Sequence, residues 1–441
     1  MINKKVLILG NFWPHVRGGH RVSPLLRNLS NYGYYPTILT LWPKDKPKLE
    51  INHKKKFKII YVDELSFEEQ FKLAFSRLKI LNFLKKNIKT TPTNNLFNME
   101  ESNSGFKRSF LNKLKGMVSS FFFMPDEYNI SFFRIKHQAK KYIDNNKVDI
   151  ILSEFPVTFH LVGSNLSKKY NIPWIADFVD PWSDNFNYSY GPFRKKIDRF
   201  IQKNSLKNAY GVVTVSPVWQ EKNSAYNKRS FCIEHSFKDK LSPKRSILRS
   251  INILYAGRIY PEIQDHKLFF QLLNNYLKQS PELKNLLNVT FVGEGANESL
   301  KRISESMGLS DCIKIGSRVS QNQLTKLKQD SDILMMFSTN SETDGWYTSK
   351  LFDYIGSIRP ILVLGHNSNN IIADFVVKNN IGYFVSDNKS FSAFFDDLIK
   401  RVKNSEGLDY SVKESFVDNY HESEMTKRFA DLFDRALESY E

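Results

Sequence analysis

The chemistry-bearing residues of this chain gather most densely near residue 350. Thr348-Ser349-Lys350-Leu351-Phe352-Asp353-Tyr354 runs into Ile355-Gly356-Ser357-Ile358-Arg359-Pro360. Ser349 is a good helix N-cap, so the backbone N–H groups after it can face a phosphate. Lys350 adds positive charge at the same end, and Asp353 lies one turn deeper on the same side. N–H groups, a cation and a carboxylate together suit a nucleoside diphosphate and the hydroxyls of its ribose. The plainer alternative is a capped helix with an ion pair between positions 350 and 353. The Gly-x-x-Arg-Pro turn and the apolar strand 360–364 that follow favour the ligand.

These groups need a scaffold that presents loops at strand ends. The chain has 441 residues, 41% hydrophobic and 14% aromatic, enough for two or three globular domains. Its longest apolar runs are far too short to span a bilayer, and the first apolar run, 6–9, stops at Gly10, too short for a signal peptide. Two cysteines, Cys232 and Cys312, support neither a disulfide framework nor a zinc cluster. A reduced cytoplasmic protein is expected. Short apolar runs alternate with helical periodicity: strands at 6–9, 37–41, 58–62, 148–153, 173–177 and 211–215, then, past a charged linker at 238–249, strands at 251–255, 289–292, 312–315, 331–336 and 360–364. A helix over 266–279 and a closing amphipathic helix near 424–439 complete the pattern. Two tandem doubly wound α/β domains follow, 1–246 and 247–424, with the last helix, 425–441, packing back on the first. Ligands are expected at the carboxyl ends of the strands, in a cleft between the domains.

The segment 348–362 resembles the signature of retaining glycosyltransferases of the GT-B fold, family 4. That signature is a Glu-x7-Glu helix, a small-residue turn, a proline and a strand. Asp353 falls where the second glutamate would be, while Gly345 stands in place of the first, with Glu342 and Asp344 nearby. Lys350 to Tyr354 is similar to the Lys-Leu-Phe-Glu-Tyr variant of bacterial polysaccharide transferases. Other pieces occur in order: Gly18-Gly19, Pro125-Asp126, Asp177-Phe178-Val179-Asp180-Pro181-Trp182, Tyr255-Ala256-Gly257-Arg258, Gly293-Glu294-Gly295 and Gly316-Ser317-Arg318-Val319. The resemblance implies transfer of a sugar from a UDP- or GDP-linked donor to a glycan, expected to be lipid-linked, with retention at the anomeric carbon. It implies donor contacts from Arg258, Lys267, Arg318, Val319, Thr348, Ser349, Lys350 and Asp353. Acceptor contacts would come from Gly18, Gly19, His20, Arg21 and Asp177. Arg258 and Lys350 would stabilise the leaving diphosphate, and Asp180 or Asp177 would orient the acceptor or support the sugar cation. His15, His20 and His160 are weaker acceptor-side candidates, for which structural roles are expected. Neither cofactor nor metal is expected. A nucleotide-sugar 2-epimerase and a non-catalytic binding protein of the same fold are the alternatives.

The net charge is +18, and residues 1–150 hold 27 Lys+Arg against 12 Asp+Glu. An anionic partner of that third is expected, although a Lys- and Asn-rich composition inflates the count. No nucleic-acid-binding motif is present. A basic insertion, about 66–125, contains a stripe of Phe106, Phe110, Leu111, Leu114, Met117, Val118, Phe121 and Phe122 flanked by Lys107, Arg108, Lys113 and Lys115. That pattern suits a helix lying on an anionic membrane, with Phe110, Leu114, Lys113 and Lys115 in contact, or an ordinary surface helix.

Overall fold

The computed structural model describes residues 4–11, 19–44, 46, 56–64, 69, 124–185, 188, 190–244, 247–339, 345–408 and 410–440. The membrane-docking residues Phe110, Lys113, Leu114 and Lys115 lie outside them, as do Gly18, His15, Glu342, Asp344 and nearly all of the insertion; Gly19 and His20 are described in backbone only.

The chain divides into two compact units. Unit 1 carries β1 (Lys4–Leu9), β2 (Tyr34–Pro43), β3 (Lys58–Glu64), β4 (Ile150–Ser153), β5 (Trp174–Phe178), β6 (Gly211–Thr214) and β7 (Ser230–Cys232). All pair in parallel, in the order β3-β2-β1-β4-β5-β6-β7. Helices α1 (Gly19–Asn28), α2 (Phe132–Asn145), α3 (Val157–Tyr170) and α4 (Pro192–Leu206) connect and cover them. The apolar runs become strands because both faces are covered: Val6, Leu7, Ile8 and Leu9 are each at most 1% exposed. One core cluster joins these strands to α2 and α3 through Leu7, Ile135, Ile151, Phe159 and Trp174. The three-residue β7 has no apolar pattern and escapes a reading by periodicity.

Unit 2 carries β8 (Ile251–Ala256), β9 (Leu287–Val292), β10 (Ile313–Gly316), β11 (Ile333–Phe337), β12 (Ile361–Leu364) and β13 (Gly382–Val385), in the order β10-β9-β8-β11-β12-β13 and again all parallel. Its helices are α5 (Lys267–Leu277), α6 (Asn297–Ser306), α7 (Gln321–Asp330), α8 (Ser349–Gly356), α9 (Ile371–Lys378) and α10 (Asn388–Lys403). Separate apolar clusters fill the two faces of this sheet, one built on Phe269, Phe291 and Phe395, the other on Phe352, Tyr354 and Val376. The fold is therefore two Rossmann-like doubly wound units.

The division between the units falls after Cys232, ahead of the boundary that the sequence suggests at 246. The charged stretch that reads as a linker is anchored in unit 2 by its apolar residues. Phe237, 3% exposed, packs on Gly356, where a Cβ would lie 2.3 Å from its ring. The Leu241 N–H donates to the Gly356 carbonyl at 2.8 Å. The last helix, α11 (Glu422–Glu438), contributes its end to unit 1, which includes Phe429–Glu441. There Asp434 accepts from Lys4 Nζ at 2.6 Å and from Tyr34 Oη at 2.7 Å, and Phe433 meets the Tyr34 ring edge-on. Among the described residues no helix is long and apolar enough to cross a membrane.

Candidate functional site

In unit 2 the strand order reverses between β8 and β11, and parallel α/β sheets bind ligands beyond the strand ends at such a point. The backbone there is stitched tightly. The Gly257 N–H donates to Val292 O at 2.8 Å, Ile259 N–H to Glu294 O at 2.9 Å, and Gly293 N–H to Gly316 O at 3.3 Å. Gly257 has φ +125° and Gly293 φ +146°, a region closed to side chains, and a Cβ on Gly293 would collide with Gly257 O at 2.0 Å. The glycines of the sequence motifs thus hold the loops after β8, β9 and β10 in one fringe, from which Arg258 and Arg318 project, both exposed, with Val319 half-buried beside Arg318.

Helix α8 starts at this fringe. The sequence predicts its N-cap at Ser349, and the structure places it one residue earlier. Thr348 is the extended residue (ψ 144°), and its Oγ1 accepts the Lys350 N–H at 3.1 Å. Ser349 is the first helical residue. Tyr354, fully buried, accepts the Ala256 N–H at 2.9 Å and locks the helix onto β8.

Lys350 lies in the crook so formed. Its Nζ donates to Tyr255 Oη at 2.5 Å and sits 3.7 Å from the centre of that ring. The Tyr255 hydroxyl in turn donates to Arg258 O at 3.0 Å. A Cβ on Gly257 would lie 2.9 Å from Lys350 Cε, so the lysine passes directly beneath a residue that must be glycine. No carboxylate pairs with this ammonium among the described residues. Burial without a counter-ion pushes its pKa down to about 7.

Asp353 is not the partner of Lys350. Its carboxylate accepts from Lys328 Nζ at 2.8 and 3.0 Å. Lys328, in the last turn of α7, is 4% exposed, whereas Asp353 is 39% exposed. Sequence reasoning had no signal for Lys328, which reads as one more solvated lysine of a polar helix. Arg359, of the Gly-x-x-Arg-Pro turn, is buried and donates to the carbonyls of Ser331, Ser242 and Gln329, so it ties loops together. Lys267 is exposed at the start of α5, where its N–H donates to Asp265 Oδ1 at 3.0 Å. The Arg258 guanidinium lies 5.5 Å from the Tyr260 ring centre.

In unit 1, Arg21 and Asp177 form a buried bidentate pair, Nε to Oδ2 at 2.8 Å and Nη2 to Oδ1 at 3.0 Å, both 1% exposed. Asp180 is exposed beyond β5, although enough protein surrounds its carboxyl to raise its pKa. His160 is structural: its Nδ1 bonds Ser153 Oγ at 2.8 Å, its ring stacks on Phe178, and burial lowers its pKa to about 3. Among the described residues no group of three or more His, Cys, Asp or Glu could hold a metal ion.

No family model matches the chain, and no curated protein does. Solved structures do. Sucrose-phosphate synthase from Thermosynechococcus elongatus superposes with a TM-score of 0.60 at 11% identity, over 99% of this chain and 100% of that one. The trehalose-6-phosphate protein from E. coli, bound with UDP-2-fluoro glucose, gives 0.56 at 12% identity over 98% and 99%. This chain has the GT-B fold. Anabaena HepE, solved with UDP and glucose, gives 0.55 at 11% identity over 98% and 100%. At such identities the likeness is one of fold.

The Lys328–Asp353 pair makes a stability prediction. Asp353→Asn should cost about 2 kcal/mol, because a buried ammonium loses its charged acceptor. Adding Lys328→Met should recover most of that loss. Urea denaturation of the two single variants and the double variant measures it; additive losses would contradict the pairing.

Proposed function

We propose that the chain is a glycosyltransferase that takes a sugar from a nucleotide donor and transfers it to a glycan hydroxyl, retaining the anomeric configuration. The observation that carries this reading is Lys350, a half-buried ammonium with no carboxylate partner among the described residues, set at the β8–β11 reversal point and the start of α8. A half-buried cation without a counter-charge at a helix N-terminus is a place for an anion. Departure of a nucleoside diphosphate concentrates negative charge on its β-phosphate. Lys350, protonated once the diphosphate is bound, Arg258 and the helix dipole would supply positive charge to meet it, which lowers the barrier where charge develops. Arg318 and Val319, on the same stitched fringe, are within the stretch that would meet the base. Asp353, committed to Lys328, would offer only the exposed part of its carboxylate to ribose or sugar hydroxyls. The nucleotide bound in the Anabaena and E. coli structures supports the same ligand class here.

On the acceptor side, a lipid-linked glycan on an anionic membrane is supported by α4. Its outer face exposes Phe193 and Phe200, each 69%, among exposed Lys196, Arg199, Lys203 and Lys207. Aromatic rings that enter a headgroup layer, ringed by cations, suit anionic lipid, with each cation near the surface worth about 1 kcal/mol. The chain should float with vesicles containing phosphatidylglycerol at low salt, and the Phe193→Asp, Phe200→Asp double variant should float several-fold less. Equal flotation of both proteins would remove α4 from the membrane.

The diphosphate site has a proton signature. Lys350 is largely neutral above pH 7, and a bound diphosphate restores its ammonium, so binding takes up a proton. UDP or GDP affinity in calorimetry should fall as pH rises above 7, by up to about tenfold per unit. Buffers of different ionisation heat should show uptake approaching one proton. Lys350→Gln should bind weakly with no such slope. A flat profile in the wild type, or unchanged binding in the variant, would contradict the reading.

A further inference from the structure

Unit 1 has its own reversal point, between β1 and β4. Gly10 and Asn11 leave the sheet there after β1, and Glu154 leaves it after β4, its N–H donating to Leu9 O at 2.8 Å. Glu154 is 3% exposed, and its Oε2 has no hydrogen-bond partner. Asn11 Oδ1, shielded from solvent beside it in the chain path, has none either. A Cβ on Gly10 would sit 3.2 Å from Glu154 Cβ and 3.4 Å from Oε2, so glycine at this position leaves no side chain pressed against that carboxyl. Native structures rarely leave such buried oxygens unsatisfied without water or a ligand to complete them.

The charge state of Glu154 follows from its surroundings. A carboxylate buried without a partner is costly, and the group escapes that cost by keeping its proton. Among the described residues the charged groups around it are Arg21, Asp177 and Asp180. Arg21 is committed through two nitrogens to Asp177, and both aspartates oppose a further negative charge. Burial is the largest influence, and the carboxyl pKa is raised well above its ordinary value. A protonated carboxyl donates one hydrogen bond and accepts others, and an amide oxygen accepts, so the pair matches hydroxyl groups better than an anion.

We propose that Glu154 is an uncharged hydrogen-bonding group which, with Asn11, holds hydroxyls of a neutral sugar at the β1–β4 strand ends of unit 1. The sugar class is that of the acceptor glycan, so the proposal rests on the glycosyltransferase reading. Glu154 is a recognition residue in this account and transfers no proton.

The test is saturation-transfer NMR on the full chain with a panel of methyl glycosides: glucoside, galactoside, mannoside and N-acetylglucosaminide. The wild type should transfer saturation to at least one of them. Glu154→Gln, neutral and nearly isosteric, should keep most of that signal, whereas Glu154→Leu and Asn11→Leu should lose it at least tenfold. Each variant is first checked for an unchanged UDP-induced rise in melting temperature, which reads the other unit. A second readout needs no ligand. The wild type should lose melting temperature as pH rises from about 4.3 through the raised pKa of Glu154, and Glu154→Gln should lose less over the same window. Loss of glycoside signal in Glu154→Gln, full signal in Glu154→Leu, identical pH profiles, or no transfer to any glycoside by the wild type would each overturn the proposal. Absence of a UDP effect with glycoside binding intact would instead overturn the donor reading.

Discussion

The contact between Lys350 and Tyr255 sets the terms for unit 2. An ammonium held 3.7 Å from a ring centre and hydrogen-bonded to the same residue's hydroxyl is partly desolvated and has no counter-charge among the described residues. Its position constrains everything near it. Gly257 must lack a side chain, Tyr255 must be tyrosine to bridge lysine and Arg258 O, and α8 must start where Thr348 caps it. Tyr354 then fixes the helix to the strand it faces. In the proposed reading an arriving anion would offset the cost of keeping a cation there.

The other buried charges of the described chain show the contrast. Lys328 has Asp353, Arg21 has Asp177, Arg194 has Asp198, and Arg359 has a ring of carbonyls. Each has a partner inside its own unit and serves to hold elements together. Among the described residues Lys350 has no carboxylate partner and Glu154 Oε2 has no hydrogen-bond partner, and each lies at its own sheet's reversal point. In the proposed reading the two Rossmann-like units differ in what they would bind: an anion at Lys350 and hydroxyls at Glu154. A reaction that joins a phosphate-linked sugar to a sugar hydroxyl needs both.

Much of this was legible in the residues. Strands such as 6–9, 251–255 and 360–364 are apolar runs bounded by glycine or proline, and parallel sheets covered on both faces demand such runs. The helix at 349–356 showed itself through its cap and periodicity, with the cap displaced by one residue because threonine and serine stand side by side and only backbone conformation chooses between them. The clusters Gly257-Arg258 and Gly293-Glu294-Gly295 marked strand ends, because glycine with positive φ is what lets adjacent loops interlock. Pairings across the sequence were not legible. Nothing in α7 singles out Lys328 among its polar neighbours, and i,i+3 spacing pointed Asp353 at Lys350 when a lysine twenty-five residues away in the chain reaches it first. Glu154 follows an apolar strand and precedes Phe155-Pro156, a context that suggests only a turn; its isolation comes from β1 and β5 closing around it. The boundary near 233 was hidden because lysines at 238, 240 and 244 mask the anchors Phe237 and Leu241.

The central claim is that a nucleoside diphosphate binds at the strand ends of β8 and β11 against Lys350. Amide hydrogen exchange with and without UDP tests it most directly. The account predicts slower exchange in peptides covering residues 255–260, 293–297 and 348–353, with little change at 9–11, 150–160 and 174–180. Protection confined to the latter group, or no protection anywhere at saturating UDP, would contradict it.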